Sequence, residues 1–207
     1  MSRRVAAALL SLTAGLWTAS ALADGASKDP LQAPAGAYRL ETAHSQVLFA
    51  IAHIGLTNYY GRFNKVSGTL SFDPKAPENS SVSITIDMAS VDTPSAGVVR
   101  ELVGNQVFDV RTFPVATFKS TSVTRTGPDT GKITGDLKLR GISESVTLDV
   151  VFNGTEPNPV GNGQVLGFHA TTTLKRTDFG IEDMVWEPLV SDDVTLTIEA
   201  LFQQEPK

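Results

Sequence analysis

Between residues 132 and 152 the side chains sort onto two faces with almost no exceptions. Ile133, Gly135, Leu137 and Leu139 share one parity, and Thr134, Asp136, Lys138 and Arg140 share the other. After a break at Gly141 the pattern resumes, with Val146, Leu148, Val150 and Phe152 opposite Thr147, Asp149, Val151 and Asn153. A period of two is the pleat of a half-buried strand, so the stretch predicts an antiparallel hairpin with one greasy side. That side has to be covered, and the rest of the chain must supply the cover.

The same parity recurs along the chain. Residues 46–53 put Val47, Phe49, Ile51 and His53 on one side and Leu48, Ala50 and Ala52 on the other, so both faces are apolar and this strand is expected to be covered twice. Strands are also predicted at 66–72, 81–87, 116–123, 165–174 and 194–202, with a short one at 38–40. Gly55, Asn58 and Gly61 read as turns or a bulge, and residues 175–193 as irregular. Only residues 94–110 change period, with Val98, Leu102 and Phe108 compatible with one or two helical turns.

The count is about eight antiparallel strands. A long sheet with one apolar face must pack on a second sheet or close on itself, and closure also removes the edges that invite aggregation. The expected fold is therefore all-β, an extended eight-stranded antiparallel barrel with one short helix. Such a barrel is filled by its own side chains or holds one slender guest, and a lining of Ile, Leu, Val and Phe requires that guest to be apolar.

Residues 1–23 carry Arg3 and Arg4, an apolar run over 5–17 and then Ala21-Leu22-Ala23, the pattern of a cleaved secretory signal. The run is shorter than the ~20 residues that span a bilayer. The chain contains no Cys, which excludes a lipoprotein attachment and a disulfide framework. Residues 24–37, rich in Pro, Gly and Ala, read as a flexible lead, leaving 38–207 as a single domain. A net charge of −5 without a basic patch argues against nucleic acid and against docking to anionic lipid.

Several short stretches carry a family likeness. They are Tyr38-Arg39-Leu40 with His44-Ser45, then Phe49 through His53, and Gly61-Arg62-Phe63. Gly68-Thr69-Leu70-Ser71-Phe72-Asp73 and Phe108-Asp109-Val110 with Phe113-Pro114 follow. Phe118-Lys119-Ser120-Thr121, Gly135-Asp136-Leu137 with Gly141, and Arg176-Thr177-Asp178-Phe179-Gly180-Ile181 complete the set. In this order and spacing the chain resembles the YceI-like family of periplasmic polyisoprenoid-binding proteins from Tyr38 to about Gln203. The resemblance implies a lipocalin-like barrel holding a long isoprenoid chain, such as a ubiquinone tail, in an apolar pore. It also implies a periplasmic location, a homodimer and a membrane partner that handles quinones. No cofactor is required; a bound polyisoprenoid or isoprenoid quinone is the expected ligand. Where many members have a His before the Phe-Asp-Val segment, this chain has Glu101, so no role of that His carries over.

Given the resemblance, the inward rows become the ligand candidates: Phe49, Ile51, Leu70 and Phe72, then Ile84, Ile86 and Phe118, then Leu137, Leu148, Val150, Phe168 and Ile198. A solid core would need the same rows. Phe108 and Trp186, on irregular segments, are expected as lids at an open end. His53 ends an inward row near one end of the barrel, where it could hydrogen-bond a quinone carbonyl or a polyprenyl phosphate. His44 is expected to fix a strand start, and His169 to face outward. Arg176 and Asp178 are expected to form a structural pair that closes the barrel.

No metal site is expected: Cys is absent, and His44 and His53 lie an odd number of residues apart, on opposite faces of one strand. The acidic residues Glu182, Asp183, Glu187, Asp192 and Asp193 read as solvated loop charges, and no nucleophile elbow occurs. The expected function is noncatalytic binding, sequestration or transport of an isoprenoid lipid. The alternative is a stress-protective interaction module with a solid core that acts through its outer surface.

Overall fold

The computed structural model of the chain describes residues 25–182 and 188–206. Its strands are β1 (Gly36–Leu40), β2 (Gln46–His53), β3 (Thr57–Phe63), β4 (Val66–Phe72), β5 (Ser81–Asp87) and β6 (Val91–Asp92). After helix α1 (Ala96–Leu102) come β7 (Val115–Arg125), β8 (Thr130–Leu139), β9 (Ile142–Pro157), β10 (Gln164–Lys175) and β11 (Val190–Gln204). All pairings between these strands are antiparallel.

Eleven strands make eight staves. β11 is long enough to carry two partners on one edge: its C-terminal part pairs with β1 (Leu40↔Phe202) and its N-terminal part with β2 (Val47↔Ile198). β4 and β3 then lie against β1 and β2, and β5 and β6 against β4 and β3, so three staves are each interrupted once. The ring β1-β4-β5-β7-β8-β9-β10-β11 closes through the β1–β11 pairing. The expected closed, eight-stranded barrel with one short helix is the fold found.

The break between β1 and β2 has a local cause. Between β1 and β2 the Glu41 carboxylate accepts from the backbone N–H groups of Ala43 (3.0 Å) and His44 (2.8 Å), which folds the chain out of the ladder. His44 Nδ1 lies 2.7 Å from the same carboxylate, but its ring is exposed. The buried Ser45, whose Oγ accepts from Leu201 N–H at 3.0 Å, fixes the start of β2. The helix begins where Ser95 Oγ accepts from Val98 N–H (3.4 Å), a side-chain N-cap.

Two sequence expectations need correction. Residues 57–63 are a strand, although Asn58 and Gly61 read as turn residues. Gly61 stands directly opposite Phe49, and a Cβ there would lie 2.2 Å from Phe49 Cζ. The glycine makes room for a ring rather than for a turn. The outer face of β2 was expected to be covered, yet Leu48, Ala50 and Ala52 are only half-buried.

Gly61 has two counterparts on the inner face. A Cβ on Gly68 would meet Ile84 Cδ1 at 2.5 Å, and one on Gly135 would meet Phe118 Cζ at 2.6 Å and the Lys119 carbonyl at 2.5 Å. Large inward side chains therefore lie across glycines of the neighbouring strand rather than pointing down the axis. This arrangement keeps the middle of the barrel open.

The lead segment, expected to be flexible, is tied down in part. Ser27 and Thr155 exchange backbone hydrogen bonds of 2.9 Å, Asp29 caps a 3-10 turn at Pro30–Gln32, and Ala33 is buried. The expected signal at 1–23 lies outside the described residues.

The β2–β3 turn holds Ile54 at φ 47 and Gly55 at φ 69. A β-branched residue in the left-handed region is strained, by roughly 1–2 kcal/mol. Ile54→Asn, which tolerates that conformation, is expected to raise the melting temperature by roughly 2–4 °C; calorimetry checks this.

Candidate functional site

Three neighbouring cavities that share wall residues run along the barrel. The widest, about 380 Å³, lies at the end formed by β2, β3, α1 and the segment following β10. A second, about 130 Å³, shares Val47, Ile86, Leu137 and Leu196 with it. A third, about 100 Å³, shares Val82, Ile133, Val150 and Phe168 with the second. Almost all of the accessible wall of the first two is carbon. The widest cavity alone falls within the ~300–1,000 Å³ of ordinary ligand pockets.

Two aromatic groups mark the ends of this lumen. At the wide end Phe49, Phe63 and Phe108 follow one another at ring separations of 5.8 Å. At the narrow end Phe72, Phe152, Phe168 and Phe202 form a cluster with ring separations of 5.4–6.3 Å, and Tyr38 abuts Phe72. Tyr38 is fully buried with its hydroxyl donating to the Pro34 carbonyl (2.7 Å), and burial pushes its pKa up to about 12.

Most of the inward row faces this lumen. Phe49, Ile51, His53, Ile86, Phe108 and Leu137 line the wide cavity. Ile84, Phe118, Leu148, Val150, Phe168 and Ile198 line the middle one, and Phe72 the narrow one. Leu70 lines none of the three; it is buried between Tyr38 of β1 and Val82 of β5. Trp186 lies outside the described residues.

The wall has a gap that the sequence reading did not anticipate. β9 pairs with β8 from Ile142 onward, but with β10 only from Asp149, so residues 142–148 have no strand on their second edge among the described residues. A 3-10 turn at Arg176–Phe179 fills the gap: Phe179 is buried against the wide cavity, and the Arg140 guanidinium donates to the Gly180 carbonyl. Gly180, at φ 62, ends the turn in the conformation glycine tolerates best. Of the stretch 175–193, read as irregular, the described residues hold the end of β10, this turn and the start of β11, pieces too short to show a period.

Arg176 is buried in this turn, but not as a pair with Asp178. Its guanidinium donates to the Ile181 carbonyl (2.7 Å) and the Ser191 carbonyl (3.3 Å), and among the described residues no ion pair joins it to Asp178, which is exposed. The carboxylate that serves the turn is Asp192, which accepts from Thr177 N–H (3.1 Å) and Thr177 Oγ1 (2.9 Å). Burial pushes the Asp192 carboxyl up, but these hydrogen bonds and the charges of Lys175 and Arg176 outweigh it and hold the group below its ordinary pKa. A lowered pKa contributes stability that is complete above the unfolded value and is lost as pH falls through the native one. Asp192→Asn is therefore expected to melt below the parent at pH 7, with the gap closing as pH falls below the ordinary carboxylate range; melts from neutral to acid pH check this.

Apart from the buried Arg176, the polar side chains of the wide cavity stand toward its rim. His53 and Glu101 are exposed there, while Tyr59 donates to Thr93 Oγ1 at 3.1 Å. His169, expected to face outward, meets Glu199 across the β10–β11 ladder at 2.7 Å. Among the described residues no group of three His, Cys, Asp or Glu could hold a metal ion. The sequence reading missed Met88, Val107, Phe179 and Ile181, buried against the wide cavity from short turns and irregular segments where no period announces them, whereas Leu102 of α1, also buried there, was marked by helical spacing.

Comparison with known proteins agrees with this architecture. Residues 38–202 match the YceI-like domain. A UPF0312 protein of Ectopseudomonas mendocina is 38% identical over 174 residues, 83% of this chain and 91% of its own length. The crystal structure of BcnA from Burkholderia cenocepacia superposes with a TM-score of 0.70 at 27% identity, covering 78% of this chain and 98% of that one. A polyisoprenoid binding domain from Saccharophagus degradans, implicated in plant cell wall breakdown, shares the fold with a TM-score of 0.62 at 17% identity, covering 83% of this chain and all of its own. The barrel, its register and the 38–202 match together make this chain a member of the YceI-like family.

Proposed function

We propose that the protein is a noncatalytic carrier that holds one isoprenoid lipid, or the tail of an isoprenoid quinone, inside the barrel. The observation that carries this reading is the series of neighbouring apolar cavities of about 380, 130 and 100 Å³ that share wall residues. A wide chamber leading into a narrow one suits a ligand with a bulky end and a slender tail. Each buried methylene contributes ~0.8 kcal/mol, so a long tail binds tightly without polar recognition. The Saccharophagus degradans domain, called polyisoprenoid binding, supports the ligand class at the level of fold. A barrel packed solid, as the surface-acting alternative requires, would not leave such space.

The rest of the reading rests on the signal-like N-terminal pattern and on what the family resemblance implies. Residues 1–23 direct export and are removed, the remaining chain works in the periplasm, and a membrane protein that handles quinones loads or unloads it. His53, exposed at the rim of the wide cavity, is the candidate head-group contact. The test is to extract the purified protein with organic solvent and identify the extract by mass spectrometry. An isoprenoid near one per chain is expected; a protein that yields none and ignores added isoprenoid quinones refutes the proposal.

A further inference from the structure

The turn between β2 and β3 combines three features that core packing does not explain. Ile54 is held in the left-handed region at φ 47, where Asn or Gly would be relaxed. Its side chain nevertheless is 51% exposed, beside Leu56 at 79% and Tyr60 at 58%. The run His53–Tyr60 contains no Lys, Arg, Asp or Glu, and at the base of the hairpin Arg62 is neutralised by Asp92 at 3.2 Å. A strained, exposed, apolar side chain on an uncharged tip is stabilising only once it enters an apolar medium.

The tip is continuous with the mouth of the wide cavity. Ile54 N–H donates to the Leu189 carbonyl (2.6 Å), His53 pairs with Val190, and Leu189, itself 43% exposed, lines the cavity together with His53 and Tyr59. Four partly exposed side chains offer less surface than the ~800 Å² per partner of a stable protein interface. A few apolar residues with a neighbouring Tyr are sufficient at a bilayer surface. The absence of basic residues in the tip and the chain's net charge of −5 point to a neutral rather than an anionic surface.

We propose that the β2–β3 tip, with Leu189, docks the wide end of the barrel onto an uncharged, zwitterionic bilayer, so that ligand passes between membrane and lumen without crossing water. Only the passage of ligand rests on the carrier reading; the docking does not. The chain from Asp24 onward keeps every contact described above and avoids the apolar run at 5–17. Its ligand-free form is to be floated with phosphatidylcholine vesicles, and a fluorescently tagged farnesyl ether is to be transferred from loaded protein to the same vesicles in a stopped-flow instrument.

Neither Ile54 nor Leu56 lines a cavity. The double variant Ile54→Asn, Leu56→Asp should bind the probe in solution within about twofold of the parent. It should float at least fivefold less, and transfer should lose its linear dependence on vesicle concentration. Val160→Asp, at an 87% exposed residue in the β9–β10 turn at the opposite end, should change neither. Flotation that is equal in parent and double variant overturns the proposal. So does binding that requires anionic lipid, or a self-association of the parent that Leu56→Asp abolishes. If the probe fails to load while flotation still depends on the tip, the carrier reading fails and the docking surface stands.

Discussion

Ile84→Trp is expected to lower affinity for a long isoprenoid about a hundredfold while leaving binding of a short one within a few-fold. Ile84 lies over Gly68 and lines the middle cavity of about 130 Å³, so a larger ring there fills the passage beyond the wide chamber. A hundredfold is about 2.7 kcal/mol, the worth of three to four methylenes at ~0.8 kcal/mol each that can no longer enter. Short compounds lodge in the chamber of about 380 Å³, which Ile84 does not touch. Titration with a series of prenyl chain lengths reads the effect as a break in affinity against length. Equal losses at all lengths would mean that Ile84 shapes the fold rather than the path.

The largest effect on stability is expected from Gly135→Val. Its Cβ would stand 2.5 Å from the Lys119 carbonyl and 2.6 Å from the Phe118 ring, and the backbone oxygen cannot swing aside as a side chain can. Overpacking of this kind costs about 3 kcal/mol, which for a chain of this size is a melting temperature lower by roughly 6–12 °C. Gly61→Val should cost less. The conflict there is with the Phe49 ring alone, which can rotate into the wide chamber, so that variant should lose ligand affinity more than stability. Calorimetry and ligand titration on the two variants separate these outcomes.

What could be read from the sequence divides along the same line as regular and irregular backbone. Parity located the inward rows because period two is imposed by the pleat whatever the tertiary context. Closure followed because apolar rows of that length leave no other cover. Parity could not separate a glycine that turns the chain from one that yields to a ring, which is why Gly61 read as a turn while Gly135 read as part of a strand. The wide end of the cavity was the least readable part. It is built from α1, Val107, Phe179 and Ile181, where each residue's direction is set by a neighbour far away in sequence rather than by a repeat. The partner of Arg176 was missed for a related reason: the nearby Asp178 offered a local pair, but the turn aims the guanidinium at the Ile181 and Ser191 carbonyls.

The extended β11 links the two ends of the lumen. Its C-terminal part closes on β1 around the ring cluster of Phe72, Phe152, Phe168 and Phe202, and its N-terminal part carries β2 and β3 outward around the chamber. The β1–β2 interruption at residues 41–45, held by Glu41 and Ser45, lies where β11 changes partner from β1 to β2. A ligand that follows the axis must pass the four side chains shared by the first two cavities: Val47, Ile86, Leu137 and Leu196.

The most direct test of the carrier reading is a crystal structure of the protein loaded with an isoprenoid quinone. The account predicts continuous ligand density with the ring in the wide chamber near His53 and Arg176, and the tail running between Val47, Ile86, Leu137 and Leu196 toward Phe168. Density on the outer face, or an empty lumen in protein that has demonstrably bound the quinone, would contradict it.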